Sequence, residues 1–355
     1  MEKGEFFTLK SIIFDMDTEM KLAKHSFLPK KRYHPLPGLS QILQALAQEG
    51  ICLTMISLLS RQEINQAEKN MKIQNYFQHL ISADGLNHTE STSELPVSDD
   101  ETKRARLTSE LLALALQKTG VTPAEVLLVT DSPSGVNTAK AAILPCIAFL
   151  HPLSEKTDLG HADILLEGFD GLNPSFFFHV YQRFHGKPIT IASTKRLWLR
   201  ELTAEDIPAL CTIYQEPDIQ RFITDIDDSP EKEIAKQTAY ISTVYRFYGY
   251  GLWGIFQNDS DTLIGRCGIE NHKIAGKEEI MLSYLLDRKY WGHGYALEAC
   301  KAVLHYAQEE LDMQRIVAII DHENKRSLRT AASLKMKPEQ ELIYKGRHCT
   351  LFVLE

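Results

Sequence analysis

The chain has 355 residues, 44% of them hydrophobic and 24% charged, with a formal net charge of −8. That length allows two domains with separate cores, and the composition is that of a globular protein. The acidic balance excludes a non-specific nucleic-acid binder, which needs a basic face.

The longest apolar runs, ICLTMISLL and AAILPCIAFL, are too short to span a membrane. The start, MEKGEFFTLK, lacks the long apolar stretch of a signal peptide. The six cysteines are scattered without a CxxC pair, which predicts buried thiols, a reducing cytoplasm and no structural zinc.

The first half alternates strand and helix signals. Residues 10–17 (KSIIFDMD) read as a buried strand, 37–50 as a helix ending at Gly50, and 51–57 (ICLTMIS) as a second buried strand. EINQAEKNMKI reads as a helix, 79–84 as a short strand and the polar stretch 87–103 as a surface loop. A helix over 107–119, a strand over 125–131, a helix near 135–142 and strands near 146–150 and 163–166 follow. This alternation predicts an α/β fold with a doubly wound parallel sheet.

PSFFFHVYQRFHGKP (174–188) reads as an aromatic helix that covers a domain edge, ended by a Gly/Pro break. The predicted division is a first domain over 1–172, the helix and linker over 173–189, and a second domain over 190–355. The second pattern opens with the strand TKRLWLREL and two helical stretches. The strands LWGIF, TLIGRCGI and EIMLSYLL follow, then a glycine loop, a helix, the strand RIVAII and a closing pair in LIYKGRHCTLFVL.

Two constellations carry chemistry. Asp15 and Asp17 end a buried strand two residues apart, Ser57 ends the next strand, and Asp131 ends a later one. Carboxylates at the C-terminal edge of a parallel sheet sit where α/β folds bind ligands. One can attack a phosphoryl group while the other moves a proton. The order Asp-x-Asp, Ser, basic residue, Asp resembles the haloacid dehalogenase (HAD) superfamily over residues 8–170. The resemblance implies that Asp15 is the nucleophile and Asp17 the general acid/base, that Ser57 with Arg106 or Lys103 binds phosphate, and that Asp131 joins the two aspartates at Mg²⁺. The first motif departs from the family, with Thr18 in place of glycine and an added acid at Glu19. The short spacing to the turn at 35–38 leaves no room for a large cap domain.

The second constellation is KYWGHGYALEA, residues 289–299. Gly292 and Gly294 let the backbone turn sharply, and the helix that starts there aims free N–H groups and its positive end at one spot. That is a cradle for a pyrophosphate. Leu297, Cys300, Val303, Leu304, Ala307 and Leu311 share a helix face that should pack on the sheet.

With its flanking strands, and with Asn324 and Ser327 opening the next helix, this segment resembles the acetyl-CoA loop of GNAT N-acetyltransferases of the RimJ/RimL type. The resemblance covers residues 190–355 and implies a mixed, splayed sheet. It also implies that acetyl-CoA is held by Leu285, Leu286, Lys289, Tyr290, Trp291, Gly292, His293, Gly294, Tyr295, Ala296, Asn324 and Ser327. A primary amine would attack the thioester. With an ordinary pKa of ~10.4 it arrives protonated, so a base is required.

The family's glutamate position is Met281 here, its glycine is Ser283, and its tyrosine general acid falls at Ala331. Glu279, on the same strand face as Met281 by period-two alternation, is the first candidate base and Glu270 the second. Tyr248, Tyr250 and Trp253 read as core or rim aromatics rather than an acceptor pocket.

The sequence thus points to an acetyl-CoA-dependent N-acetyltransferase fused to a HAD-like domain, an arrangement similar to that of bacterial two-domain acetyltransferases. The alternatives are a bifunctional Mg²⁺-dependent phosphohydrolase/acetyltransferase and a non-catalytic acyl-CoA sensor. The partner is an amine, small or on a protein. The overall acidity suits a cationic acceptor, and the oligomeric state stays open.

Overall fold

The computed structural model describes residues 8–17, 36–86, 101–150, 158–223, 226–227 and 229–354. The chain divides into two compact units, Met1–His185 and Gly186–Glu355.

The first unit is built on strands β1 (Ser11–Asp15), β2 (Cys52–Ser57), β3 (His79–Ser82), β4 (Val126–Thr130), β5 (Cys146–Phe149) and β6 (Ile164–Leu166). They form one parallel sheet in the order β3-β2-β1-β4-β5-β6. The apolar runs of β1 and β4 are buried along their whole length, as a sheet covered on both faces requires. Helices α1 (Leu39–Gln48), α2 (Arg61–Met71), α3 (Glu101–Thr119), α4 (Pro133–Ala141) and α5 (Pro174–Phe184) supply the covers. Ile42, Ile64 and Phe177 of α1, α2 and α5 join one core. Leu111, Leu112 and Val136 of α3 and α4 join the other.

Strand order reverses beside β1, so Asp15 ends at the switch point where such sheets bind ligands. The aromatic helix α5 belongs to this unit: Phe177, Val180 and Tyr181 are buried in its core, and the Tyr181 hydroxyl donates to Ala124 O at 2.5 Å. The expected loop over 87–103 is cut short, because α3 already starts at Glu101. Residues 87–100, the motif positions Thr18 and Glu19, and the stretch 18–35 on which the cap expectation rests lie outside the described residues.

The second unit holds an eight-stranded mixed sheet in the order β13-β14-β12-β11-β10-β9-β8-β7. Its strands are β7 (Thr190–Ser193), β8 (Leu197–Arg200), β9 (Leu252–Gln257), β10 (Leu263–Ile274), β11 (Lys277–Leu286), β12 (Ile316–Asp321), β13 (Lys337–Tyr344) and β14 (Arg347–Leu354). Helices α6 (Ile207–Tyr214), α7 (Pro217–Gln220), α8 (Pro230–Tyr248), α9 (Tyr295–Glu309) and α10 (Lys325–Ser333) surround it.

Neighbouring strands are antiparallel except β11 and β12, which run parallel and share a single register position, Met281 opposite Val317. Beyond that point they splay apart. The predicted face of α9 packs as expected, with Cys300, Val303, Leu304 and Ala307 buried and Leu297 and Leu311 partly buried against the same core. Trp253 is a fully buried core residue, while Tyr248 lies 47% exposed.

Gly38 caps the start of α1 at φ 78°. A β-carbon there would lie 2.3 Å from the Phe169 carbonyl oxygen. Gly38→Ala therefore combines left-handed strain with a backbone clash and is expected to cost about 2–4 kcal/mol in the first unit. Denaturant titration measures this, and a loss below about 1 kcal/mol would contradict the geometry.

Candidate active site

The splay of β11 from β12 opens a groove, and the chain just beyond β11 forms its upper wall. Asp287 starts a tight turn: its carboxylate accepts the Lys289 N–H at 3.1 Å and its backbone oxygen accepts the Tyr290 N–H at 2.9 Å. The Trp291 indole N–H donates to Leu286 O at 2.8 Å, which ties the turn back to the strand end.

Gly292 and Gly294 then take φ 81° and 80°, and α9 begins at Tyr295 with Gly294 as its N-cap. The first helical bond runs from Glu298 N–H to Gly294 O at 3.1 Å. The N–H groups of residues 292–297 therefore have no partner among the described residues and stand open at the positive end of a helix. A β-carbon at Gly292 would meet nothing within 4 Å, so glycine is required there by the left-handed backbone rather than by space.

This cradle is braced from behind. The Glu298 carboxylate takes hydrogen bonds from the Thr194 hydroxyl (2.7 Å), Arg196 N–H (3.1 Å) and Arg196 Nε (2.7 Å). Arg196 also donates to His293 O at 2.9 Å and lies over the Tyr295 ring at 4.4 Å. Burial pushes the Glu298 pKa up, but these bonds outweigh it and hold the carboxyl below its ordinary range. The sequence reading missed Arg196, which lies about a hundred residues from the loop that it holds.

A cavity of about 350 Å³ sits under the cradle. Leu285, Leu286, Tyr290, Trp291, Gly292, Gly294, Tyr295, Ala296, Asn324 and Ser327, all named above as candidate cofactor contacts, line it. Lys289 and His293 do not. The Lys289 ammonium pairs with Asp287 at 2.9 Å, and the His293 ring stacks on Tyr295. Asn324 caps α10, its side-chain oxygen accepting the Ser327 N–H at 3.1 Å. Arg326 and Arg329, not singled out in the sequence, add positive charge to the wall. The Arg326 guanidinium covers the Trp291 ring at 3.9 Å, and helical i, i+3 spacing from Arg326 to Arg329 would have revealed the pair.

A second cavity of about 240 Å³ lies on the other side of the splay. It shares Tyr284, Leu285, Asn324 and Ser327 with the first, so the two are neighbours. Glu270, His272, Met281 and Ser283 line it. Glu270 is the direct cross-strand partner of Met281.

Burial raises the Glu270 pKa, but His272, Arg266 and the Tyr240 hydroxyl lower it further, so the group stays ionised. His272 Nε2 is 3.7 Å from its carboxylate, an electrostatic rather than a hydrogen-bonding distance. Tyr284, the one phenol lining both cavities, is pushed up to about 12 chiefly by burial. Its hydroxyl faces Ser327 and Thr330 without reaching hydrogen-bond geometry.

Glu279 has a different job from the one expected. Its two oxygens accept from Arg315 at 3.0 and 3.1 Å, Arg315 also pairs with Glu339 at 2.8 Å, and Glu279 does not line the cavity. Period-two alternation placed it on the correct face, but two residues too far along the strand. Tyr250 is likewise outside the cavities, its hydroxyl paired with Asn271.

In the first unit, Asp15, Asp17, Ser57 and Asp131 do gather at the C-terminal edge of the sheet, all buried. Asp15 Oδ2 accepts the hydroxyls of Thr130 (2.8 Å) and Ser132 (3.0 Å). Asp17 Oδ1 accepts the Ser57 hydroxyl at 2.5 Å and Leu58 N–H at 2.9 Å. The expected phosphate-binding hydroxyl of Ser57 is thus spent on Asp17.

The expected cations point away. Lys103 is exposed, and Arg106 extends into solvent to pair with Glu110 at 3.1 Å. The cation whose charge reaches Asp15 is Arg104. It shares the α3 face with buried Thr108, Leu111 and Ala115, a 3.6-residue pattern that could have identified it.

The Mg²⁺ ligand set does not assemble. Among the described residues no group of three or more His, Cys, Asp or Glu side chains is placed to hold a metal ion. One Asp17 oxygen and one Asp15 oxygen accept from two donors each.

Both halves of the chain are similar to known families. Residues 196–337 match the model of the acetyltransferase (GNAT) domain, and residues 9–149 match that of the haloacid dehalogenase-like hydrolases. The chain is a HAD-like domain followed by a GNAT acetyltransferase domain.

The GNAT half is 28% identical over 144 residues to the uncharacterized protein YkkB of Bacillus subtilis, covering 40% of this chain and 83% of that protein. It is 28% identical over 150 residues to the uncharacterized N-acetyltransferase p20 of Bacillus licheniformis, covering 41% and 82%. A probable phosphoglycolate phosphatase of Pseudomonas putida is 24% identical over 177 residues. That match takes in 47% of this chain and 64% of the phosphatase. No helix among the described residues is long and apolar enough to cross a membrane.

Asp15 titrates far from its ordinary value. Burial, and then the charge of Asp17, raise its pKa from 3.8 to about 7, against the opposing hydrogen bonds and Arg104. Because the folded value lies above the unfolded one, the contribution of this group to stability is complete below pH 3.8. It is lost as the pH rises through 7. In metal-free buffer Asp15→Asn is therefore expected to raise the melting point of the HAD-like unit at pH 8, by about 5 °C, with the gain vanishing by pH 4. Calorimetric scans across this range test it, and a pH-independent difference would refute the assignment.

Proposed function

We propose that the GNAT domain transfers the acetyl group of acetyl-CoA to a primary amine, with Glu270 as the general base. The observation that carries this reading is the pair of neighbouring cavities at the splay. One is capped by open N–H groups, and the other holds an ionised, largely buried carboxylate. The relative p20, named as an N-acetyltransferase, supports the same class of reaction.

The cradle from Gly292 to Ala296 fits a pyrophosphate, and the unpaired edge of β11 near Leu285 and Leu286 fits an amide-bearing arm. Bound acetyl-CoA supplies an activated thioester. Glu270 then takes the proton of the incoming ammonium, directly or through water, so that the amine can attack. It does so from the strand beside Met281, replacing the acid that Met281 lacks. Tyr284, held protonated at neutral pH, can donate a hydrogen bond to the departing thiolate, a role left open by Ala331.

In the HAD-like domain we infer a scaffold with an idle centre rather than a second phosphohydrolase. The expected cations face solvent, and the hydroxyl meant for phosphate is engaged by Asp17.

Calorimetric titration with acetyl-CoA should give micromolar binding that is lost in the Gly292→Glu/Gly294→Glu double variant. Absence of binding at millimolar cofactor would overturn the reading. Among candidate bases, Glu270→Gln should lower kcat about 100-fold or more with acetyl-CoA affinity kept. Glu279→Gln should instead lower stability by roughly 1–3 kcal/mol through the loss of its Arg315 pair. If kcat collapses in the Glu279 variant and not in the Glu270 variant, the two roles are reversed.

A further inference from the structure

The net charge of the whole chain suits a cationic acceptor, but the acceptor cavity itself says otherwise. Arg266 and Glu270 lie four residues apart on one face of β10, and both line the cavity. Their α-carbons are separated by about 13 Å of strand, and both side chains are long enough to close most of that gap. Arg266 is near enough to Glu270 to lower its pKa.

The guanidinium of Arg266 makes no ion pair among the described residues. It lies over the face of the Tyr214 ring, 5.0 Å from the ring centre. A half-buried guanidinium with no carboxylate in ion-pair contact is costly to keep. By contrast, the other arginine lining this cavity, Arg347, is matched by Asp321 at 2.5 Å.

Building on the acetyltransferase reading, we propose that the acceptor is a small amine carrying an anionic group, carboxylate or phosphate, which Arg266 binds while Glu270 receives the proton of the amine. The planar fork of arginine suits either anion. The spacing suits a compact molecule with both charges a few bonds apart, such as an α-amino acid or an amino-alkyl phosphate. A polyamine would bring a second cation toward Arg266 and be repelled.

The test uses the full chain loaded with acetyl-CoA, whose affinity is measured first and separately. Thiol release is followed with each amino acid against its amide and its decarboxylated amine, and with O-phosphoethanolamine against ethanolamine. Spermidine is included as a polycation. Binding of the same compounds is measured by calorimetry in the presence of CoA, so that a slow acceptor is still detected.

The expected result is a preference of about 10- to 100-fold in kcat/KM for the anionic member of at least one pair. The preference should be carried by KM, fall toward one in Arg266→Gln and be partly restored in Arg266→Lys. The carboxylate and phosphate pairs tell the two anions apart. Retained acetyl-CoA affinity shows that each variant is folded, since Arg266 does not line the cofactor cavity.

The proposal is overturned if spermidine or the neutral amines are preferred, if no anionic amine binds or reacts, or if Arg266→Gln leaves the ratio unchanged. Any of these with acetyl-CoA binding intact removes the acceptor class alone. Loss of acetyl-CoA binding by the wild-type protein would instead remove the acetyltransferase reading.

Discussion

Everything in the second domain depends on one interrupted strand pair. β11 and β12 run parallel and touch in register only at Met281 and Val317. A sheet normally cannot leave the inner edge of a strand unpaired, because buried N–H and C=O groups without partners are costly. The unpaired length of β11 is therefore either a defect or a binding edge. The cradle at its end, the cavity beneath it and the second cavity across it all argue for the latter. On the function proposed above, the cofactor arm completes the sheet there.

The same strand pairing explains how one acidic group can stand in for another. Cross-strand partners point to the same face and lie about 5 Å apart. Glu270 on β10 faces Met281 on β11, so on the function proposed above its carboxylate stands nearly where an acid at Met281 would stand. Glu279 sits on that face too, beside His272, but at the far end of the sheet, where Arg315 and Glu339 absorb it into an ion-pair cluster. Charge alone does not make a base; what matters is whether the carboxylate is left free to meet a proton.

Much of this was legible in the sequence, and the boundary of legibility has a physical basis. The cradle, the packed face of α9 and the parallel sheet of the first half each follow from short-range patterns: glycine spacing, period 3.6, continuous apolar runs. The side chains that decide the chemistry do not. Choosing Glu270 over Glu279 needs the register between strands, and finding Arg196 behind the cradle needs a contact between residues about a hundred apart. Arg104 was readable from its place on the buried face of α3, but the family pattern drew attention to Lys103 and Arg106 on the exposed one.

The two halves differ in how their charges are resolved. In the GNAT domain nearly every buried charge has an opposite: Glu298 has Arg196, Asp321 has Arg347, Asp206 has Arg200. Among the described residues Arg266 has no ion pair and Glu270 has only the looser His272 at 3.7 Å, and both line the second cavity. In the HAD-like domain the unresolved charges are both negative, Asp15 and Asp17, and the protein settles them by raising the pKa of Asp15 to about 7. A site tuned for phosphoryl transfer would spend that repulsion on a bound cation. With no cation bound, a proton on Asp15 relieves it.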